Sequence, residues 1–410
     1  MKKLEQILTK AIANTEFAGK AYYVGGYVRD AVMQRPSCDV DVVVALPEGG
    51  LRLARYLHAI GVTNKPVIFE KFGTASVQIA SHTVEFVMTR SESYRDKDRK
   101  PDVVSGTLLE DVMRRDFTIN TLLRQIGTDA ILDLTQRGLD DIKAGIIRST
   151  SDPELIFRED PLRILRALRF AAQLGFTIEA GTAAGIHKNA ATLTHISWER
   201  RRDELRKLLL SPDPLRGIQL LITYGLMPSL IPRWDIVKKP SWLPPDAVAA
   251  IDADLPARLG MFMLLGLEFD TVHYRNVLTQ LRFSKEIIGN VISFCRQINI
   301  LWPALRHRDV TDVLLRKVMY LEKDTHTPQQ IMQCFEAVNH ISLLPLMQRL
   351  SQISETFSDA KMPVSGQDIQ SHFAIKTGVK VGKYLQRATD IWLENPQFSR
   401  EEILHTLEQS

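Results

Sequence analysis

Two aspartates separated by a single residue, Asp39 and Asp41, lie at the start of a run that continues with three valines. An apolar run of this length predicts a β-strand, and residues two apart on a strand point to the same face. Two carboxylates that close repel each other unless a cation lies between them, and Mg²⁺ prefers oxygen ligands of this kind. The pair predicts a magnesium site; the alternative is a β-hairpin with an exposed polar face.

A double glycine lies upstream of this pair, directly after a predicted strand over Tyr22 to Val24. Gly25 and Gly26 allow the backbone to turn tightly and to approach a ligand closely. Helical propensity follows over residues 31–34, and the free amides at the start of a helix favour phosphate. This order predicts a strand, a phosphate-binding turn and a helix ahead of the acidic strand.

Two further charged positions are open to more than one interpretation. Glu85 lies in a predicted strand over Thr83 to Met88, either as an edge-strand charge or as a third carboxylate that faces Asp39 and Asp41. The segment Arg114 to Asn120 is expected to begin a helix, and its adjacent arginines form either a surface cluster or part of a site.

Helical periodicity begins near a second charged stretch, Arg158 to Phe170. Pro161 suits the first turn of a helix, and Asp160 directly before it suits the N-cap. Three arginines recur every three residues and share one face: Arg163, Arg166 and Arg169. On its own, this pattern also fits an amphipathic helix with a solvated basic face.

Four strings in the chain together resemble the class II branch of the polymerase-β-type nucleotidyltransferases. They are Gly-Gly-Tyr-Val-Arg-Asp at 25–30, Asp-Val-Asp at 39–41, Arg-Arg-Asp-Phe-Thr-Ile-Asn at 114–120 and Glu-Asp-Pro-Leu-Arg at 159–163. That branch contains tRNA CCA-adding enzymes, split CC-adding and A-adding enzymes, and bacterial poly(A) polymerases. The resemblance is specific from residue 22 to residue 210 and diffuse thereafter.

The resemblance implies a role for each matched residue. Asp39 and Asp41 are implied to be the catalytic ligands of a two-metal Mg²⁺ site, with Glu85 as a candidate third catalytic carboxylate. Asp160 and Arg163 are implied to form an amino-acid template that reads the Watson–Crick edges of C and A. The other implied nucleotide-binding residues are Gly25, Gly26, Arg29, Arg115, Arg166 and Arg169.

The implied activity is template-independent addition of C, C and A to the 3′ end of tRNA, with CTP and ATP as substrates and pyrophosphate as the released product. Two alternatives remain within the family, a split A-adding enzyme and a bacterial poly(A) polymerase. A third is a non-catalytic RNA-binding protein on a decayed scaffold, against which the intact acidic pair argues.

Composition sets the class of protein and the kind of partner. The chain is 45% hydrophobic and 24% charged, as in ordinary soluble globular proteins, and its net charge of +4 suits an anionic partner. RNA contacts are assigned to Arg200, Arg201 and Lys380, although a solvated helix face explains the first two equally well.

Three widely spaced cysteines favour a reducing cytoplasm. We expect no membrane span, and no obligate protein partner is evident.

The expected fold class is α+β. A polymerase-β-type head with a mixed sheet and helices is followed by an all-helical remainder. The 410 residues are expected to form four domains. They are a catalytic head over 1–148, a nucleotide-selecting neck over 149–210, a body over 211–330 and a tRNA-binding tail over 331–410.

Residues 91–106 are rich in charge and poor in core residues, which predicts a surface loop. In the family that the chain resembles, a flexible loop at this place is linked to addition of the final adenosine. C and A differ in size, so one Asp/Arg pair serves both only if it reorients after the second C. A flexible charged segment at the edge of the site is a suitable lever.

We therefore predict that deleting residues 95–102 spares C addition and suppresses A addition to a tRNA that ends in CC. Incorporation from CTP and from ATP, measured separately beside the intact protein, checks this expectation. An equal loss of C and A addition would mean that the loop serves only folding or RNA binding.

Overall fold

The computed structural model describes residues 2–37, 39–70, 73–93, 102–234, 243–322, 326–357 and 360–409. The chain divides into two compact units. The first unit consists of residues 1–208 and 216–229, and the second of residues 209–215 and 230–410. The predicted division into four domains is finer than this and stays a prediction.

The strands of the described residues all lie in the first unit. They are β1 (Ala21–Val24), β2 (Val40–Val44), β3 (Val67–Phe69), β4 (Thr74–Ile79), β5 (His82–Met88), β6 (Arg90–Ser93), β7 (Asp102–Ser105), β8 (Leu123–Gln125), β9 (Ile131–Leu132), β10 (Ile146–Ile147) and β11 (Thr177–Ile178).

Helices cover both faces of the sheet and continue to the end of the described chain. The first nine are α1 (Lys2–Ile12), α2 (Gly26–Val32), α3 (Gly49–Ala59), α4 (Leu108–Met113), α5 (Gly138–Ala144), α6 (Pro153–Glu159), α7 (Leu162–Leu174), α8 (Ala180–Asn189) and α9 (Trp198–Leu209). Further along are α10 (Pro214–Thr223), α11 (Met227–Leu230), α12 (Ala247–Ala250), α13 (Leu255–Leu264), α14 (Thr271–Gln280), α15 (Lys285–His307), α16 (Asp312–Glu322), α17 (His326–Asn339), α18 (Leu344–Phe357), α19 (Gly366–Phe373), α20 (Val379–Glu394) and α21 (Arg400–Glu408).

A seven-stranded mixed sheet, in the order β3-β4-β5-β2-β1-β8-β9, forms the centre of the first unit. Only β2 and β5 run parallel within it, and α3 lies on the crossover between them. Gly49 and Gly50 permit this packing, because a Cβ on Gly50 would lie 2.7 Å from the carbonyl oxygen of Phe86 in β5. The close approach fixes β2 at the centre of the sheet, where its residues are reached from both faces.

Alternation along β2 directs its residues to two different cores. Val40, Val42 and Val44 pack with α1 and α3 on one face. Val43 packs on the other face with Val112 of α4. Since residues two apart share a face, Asp41 lies on the α4 side.

The second unit is helical wherever its described residues form regular structure. Its core contains several aromatic pairs, such as Trp302 of α15 against Phe335 of α17, with ring centroids 5.0 Å apart. Within the described ranges, no helix combines the length and the apolar composition needed to cross a bilayer.

The expected fold class is confirmed, with three local differences. The helix after the double glycine begins at Gly26 and not near residue 31, since glycine accommodates the sharp entry at Gly25. Strand β2 begins at Val40, one residue after Asp39, a usual margin for strand ends. Arg114 does not begin a helix but caps the end of α4, residues 115–116 bend, and Phe117 is extended before a single 3₁₀ turn.

Candidate active site

A cavity of about 420 Å³ opens in the first unit between the sheet and helices α6, α7 and α9. Charged side chains of both signs line it. They include Asp41, Glu85, Arg115, Asp160, Arg163, Arg166 and Arg200. Most of the predicted site residues that line it lie far apart in sequence, and the fold brings them together.

The acidic side of the cavity is formed by neighbouring strands. Asp41 of β2 is paired in register with Glu85 of β5, and Asp39 lies exposed just before β2. Burial, followed by the charges of Glu85 and Asp39, raises the pKa of Asp41 from 3.8 to about 6, although Arg115 opposes the shift. Glu85 thus lies next to Asp41, which is the position that its interpretation as a third carboxylate requires.

The chemistry of this carboxylate set fits a hard cation. Like charges raise the pKa of Asp41, and a cation at that place would relieve their repulsion. In the part of the chain that the structure describes, no three acidic, histidine or cysteine side chains converge closely enough to enclose an ion. Mg²⁺ is commonly held by one or two carboxylates, with water and substrate phosphate as its other ligands. Asp39 and Asp41 match that open arrangement.

The glycine turn lies directly beside the acidic strand. Gly25 has φ +72°, a left-handed conformation that glycine adopts readily. A Cβ at this position would lie 3.7 Å from both Asp41 Oδ2 and Arg115 Nη1. Another residue would therefore strain the backbone, although its Cβ would make only ordinary van der Waals contact with these two cavity-lining groups.

Arg29, predicted beside the nucleotide, is only 4% exposed. Its Nη1 donates to Asn120 Oδ1 at 2.8 Å, its Nε donates to Asp30 Oδ1 at 2.8 Å, and its guanidinium lies 5.1 Å from the Phe170 ring centre. These contacts hold α2 against the 3₁₀ turn and α7. Direct nucleotide contact by Arg29 stays a prediction.

Asp116 joins the sheet side of the cavity to α7. Its Oδ2 accepts from Arg166 Nε at 2.7 Å, and its Oδ1 accepts from the amide of Phe117 and the side chain of Asn120. Burial alone would raise the pKa of Asp116, but the Arg166 charge and these hydrogen bonds hold it below its usual range. The ionised carboxylate is therefore a fixed part of the fold.

The predicted template pair lies at the junction of α6 and α7. Asp160 ends α6, and its Oδ1 accepts from the amide of Leu162, the first residue of α7, at 3.2 Å. The N-cap of α7 is Pro161, one residue after the predicted position. The Oδ2 of Asp160 accepts from Arg200 at 2.9 Å. Arg163 donates to the carbonyl of Arg114 at 2.8 Å. Both template residues line the cavity and are held at defined positions.

The other predicted arginines differ in how far their side chains are exposed. Arg166 borders the cavity, whereas Arg169 is 8% exposed and bound to Glu204 Oε2 at 2.6 Å. Arg200, predicted to bind RNA, lies in the cavity wall. Arg201 is 4% exposed, over the Trp198 ring and bound to the carbonyl of Ser229, so this burial does not support its predicted RNA contact.

Two remaining predictions concern Lys380 and the predicted loop over residues 91–106. Lys380 is exposed near the start of α20 in the second unit, and RNA binding by it stays a prediction. The predicted loop over residues 91–106 is wrong at its ends, where β6 and β7 pair as an antiparallel hairpin, and its middle half, residues 94–101, lies outside the described residues. Its proposed effect on A addition is therefore argued from the sequence alone.

Sequence reasoning did not assign three buried polar residues that organise the cavity: Asp111, Asp116 and Asn120. Asp116 and Asn120 lie inside the Arg-Arg-Asp-Phe-Thr-Ile-Asn string, so the motif itself contained the signal. Asp111 precedes that string by three residues. The sequence signal for Asp111 is its position one helical turn before two arginines, a spacing at which side chains on a helix contact each other.

Comparisons with known proteins show which families the chain matches. Residues 21–148 match the Poly A polymerase head domain family, and residues 175–236 match the family described as the probable RNA and SrmB-binding site of polymerase A. The CCA-adding enzyme of Lactiplantibacillus plantarum is 34% identical over 310 residues, which cover 72% of this chain and 70% of that protein.

A longer match is the CCA-adding enzyme of Limosilactobacillus reuteri, 30% identical over 386 residues that cover 90% of this chain and 87% of that protein. Among solved structures, the Bacillus stearothermophilus CCA-adding enzyme in complex with CTP superposes with a TM-score of 0.73 at 25% identity. That superposition covers 100% of this chain and 98% of the other.

The raised pKa of Asp41 leads to a stability prediction. Its folded-state pKa, about 6, lies above the ordinary value of 3.8, so ionising it costs stability as the pH rises through 6. Asp41→Asn removes that cost and is expected to stabilise the metal-free protein at about pH 8, by on the order of 2 kcal/mol. Near pH 4, where the wild-type carboxyl is protonated, the difference should nearly vanish.

Urea denaturation in the presence of a chelator, at about pH 4 and about pH 8, measures this difference. Asp129→Asn, which changes an exposed carboxylate of the same unit, serves as the control and should show no such pH dependence. A gap between Asp41→Asn and wild type that stays constant with pH would contradict the account. Added Mg²⁺ should stabilise the wild type more than the variant.

Proposed function

Because this chain belongs to the family of CCA-adding enzymes, we propose that it adds C, C and A in turn to the 3′ end of tRNA, with CTP and ATP as substrates. One observation on this chain supports the proposal: acidic residues of the central strands and the Asp160–Arg163 pair line the same cavity. A reacting phosphate and a base to be selected can therefore occupy one site together.

The chemistry is a nucleotidyl transfer. The 3′ oxygen of the RNA attacks the α-phosphorus, the new O–P bond forms as the bond to the bridging oxygen breaks, and pyrophosphate leaves with that electron pair. Two Mg²⁺ ions, when bound, would assist deprotonation of the attacking hydroxyl and stabilise the leaving oxygen. Asp39 and Asp41 would hold these ions, and Glu85 would add negative charge beside Asp41.

Basic groups opposite the acidic strands suit the triphosphate. Arg115 and Asp41 both lie beside the Gly25 turn, and Arg166 borders the same cavity. The turn itself leaves room for phosphate oxygens, since Gly25 and Gly26 carry no side chain. These residues would bind the β- and γ-phosphates and orient the α-phosphorus toward the RNA hydroxyl.

Base selection would come from the complementarity of Asp160 and Arg163. Cytosine and adenine both present an exocyclic amine, which donates to a carboxylate, next to a ring nitrogen that accepts from a guanidinium. Uracil and guanine present a carbonyl oxygen where the amine would be, and that oxygen repels Asp160. The pair therefore accepts C and A and disfavours U and G.

The described cysteines support the predicted cytoplasmic location. Cys295 and Cys334 are free and buried, and burial raises the pKa of both thiols, so each stays protonated and unreactive at neutral pH. Such thiols suit a reducing compartment.

Three tRNA substrates, ending before CCA, after the first C and after CC, test the proposed function. The protein should add C, C and A to the first, using CTP and ATP together. ATP-only incorporation on the CC end would instead identify an A-adding enzyme, and long A tails on unrelated RNA a poly(A) polymerase. Asp41→Ala, which removes a metal ligand, should abolish incorporation and serves as the negative control.

The template assignment leads to a separate prediction. Asp160→Ala should relax discrimination against UTP and GTP, and not merely slow the reaction. A bidentate base contact contributes about 1–3 kcal/mol of discrimination, so the preference should fall by about 5- to 150-fold. Single-nucleotide incorporation with all four triphosphates measures it.

The matched control is Asp203→Ala, which removes a half-exposed carboxylate from α9 that pairs with Arg202. It should leave nucleotide preference unchanged. An unaltered preference for CTP and ATP in Asp160→Ala would show that another group reads the base.

A further inference from the structure

A buried carboxylate next to the cavity binds two arginines at once. Asp111 of α4 has a side-chain exposure of 0%. Its Oδ1 accepts from Arg114 Nη2 at 2.6 Å and Nε at 3.1 Å, and its Oδ2 accepts from Arg115 Nη2 at 2.9 Å and Nε at 3.3 Å. Each carboxylate oxygen thus receives the edge of one guanidinium.

Asp111 is itself fixed from the sheet side. The backbone amide of Arg90 donates to its Oδ1 at 3.3 Å, and the next residue of α4, Val112, is buried against Val24 and Val43 of the central strands. Burial would raise the pKa of Asp111, but the two guanidinium groups hold it below its usual range, so the residue stays ionised.

The two arginines are positioned further by their backbone. The Thr150 hydroxyl donates to the carbonyl of Arg115 at 2.6 Å, and Arg163 donates to the carbonyl of Arg114 at 2.8 Å. A residue of the template pair therefore contacts the segment whose side chains Asp111 holds. Arg115 Nη1, which is not among the atoms bound to Asp111, is the one that faces Gly25.

We propose that Asp111 is a positioning residue that holds Arg114 and Arg115 where they bind the triphosphate of the incoming nucleotide. This rests on the proposed function, since it assumes that a nucleoside triphosphate occupies the cavity. The carboxylate contacts neither substrate nor metal and acts only through the two arginines. Without it, the guanidinium groups repel each other and lose the geometry that phosphate oxygens require.

Asp111→Asn tests the proposal, because the amide offers one acceptor oxygen and turns a donor toward the other arginine. We expect the KM for CTP and for ATP to rise by about tenfold, as for the loss of one charge-assisted contact, with kcat reduced less. Pyrophosphate should bind more weakly by a similar factor in the reverse reaction, since it lacks a base but shares the phosphates. The KM for tRNA should not change.

A double-mutant cycle shows whether Asp111 acts through Arg115. In an Arg115→Ala background, Asp111→Asn should raise the nucleotide KM by much less than in wild type. Fully additive effects would overturn the proposal. So would an Asp111→Asn variant that lowers kcat at unchanged nucleotide and pyrophosphate affinity.

Glu110→Ala is the matched control on the same helix. Glu110 completes a capping box at the start of α4, in which its side chain accepts from the amide and the hydroxyl of Thr107. It should lower the melting temperature without changing the KM for nucleotides. An equal KM rise in Glu110→Ala would assign the effect to loosening of α4 and overturn the proposal.

If Asp111→Asn does not fold, Asp111→Glu keeps the charge but moves the carboxylate by one methylene, and the same pattern of KM changes is expected. The wild-type assay separates this inference from the proposed function. A wild type that incorporates neither C nor A overturns the proposed function. An active wild type with an Asp111 variant of normal nucleotide KM overturns this inference alone.

Discussion

The ion pair between the buried carboxylate of Asp116 and Arg166 is the constraint on which the site depends. Asp116 follows the two arginines at the cavity, and Arg166 lies on α7, two turns from Asp160. An ionised carboxylate without solvent requires several donors, and Arg166, Asn120 and the Phe117 amide supply them. Because removing any partner would leave a buried charge unsatisfied, the sheet and α7 adopt one relative position within the first unit.

This pair extends into a continuous polar network. Asn120 links Asp116 to Arg29 of α2, directly after the glycine turn, and Arg166 lies 3.9 Å from Glu204 of α9. The Phe170 ring lies under three guanidinium groups, those of Arg29, Arg166 and Arg169. Residues that would bind phosphate are thus connected to α7, whose first turn contains Arg163 of the predicted template pair.

Local patterns predicted the elements well but did not predict which charges would be buried. The valine run after Asp39, the double glycine and the helix after Pro161 each have a short-range physical signature, and the strand and helices were found close to their expected places. Arg169 follows the same three-residue spacing as Arg163 and Arg166, yet it is buried, because Glu204 reaches it from 35 residues away. Arg200 likewise pairs with Asp160, which is distant from it in sequence. Pairings at such separations depend on tertiary packing, and one sequence contains no local signal for them.

The central claim is that one cavity holds the reacting phosphate at Asp39 and Asp41 and the base at Asp160 and Arg163. A crystal structure of the protein with CTP and Mg²⁺ tests it most directly. The account predicts the cytosine amine within hydrogen-bond distance of the Asp160 carboxylate, Arg163 on the adjacent ring nitrogen, and the triphosphate beside the Gly25 turn in contact with Arg115. Cytosine bound away from Asp160 and Arg163, with the triphosphate still at the acidic strand, would contradict it.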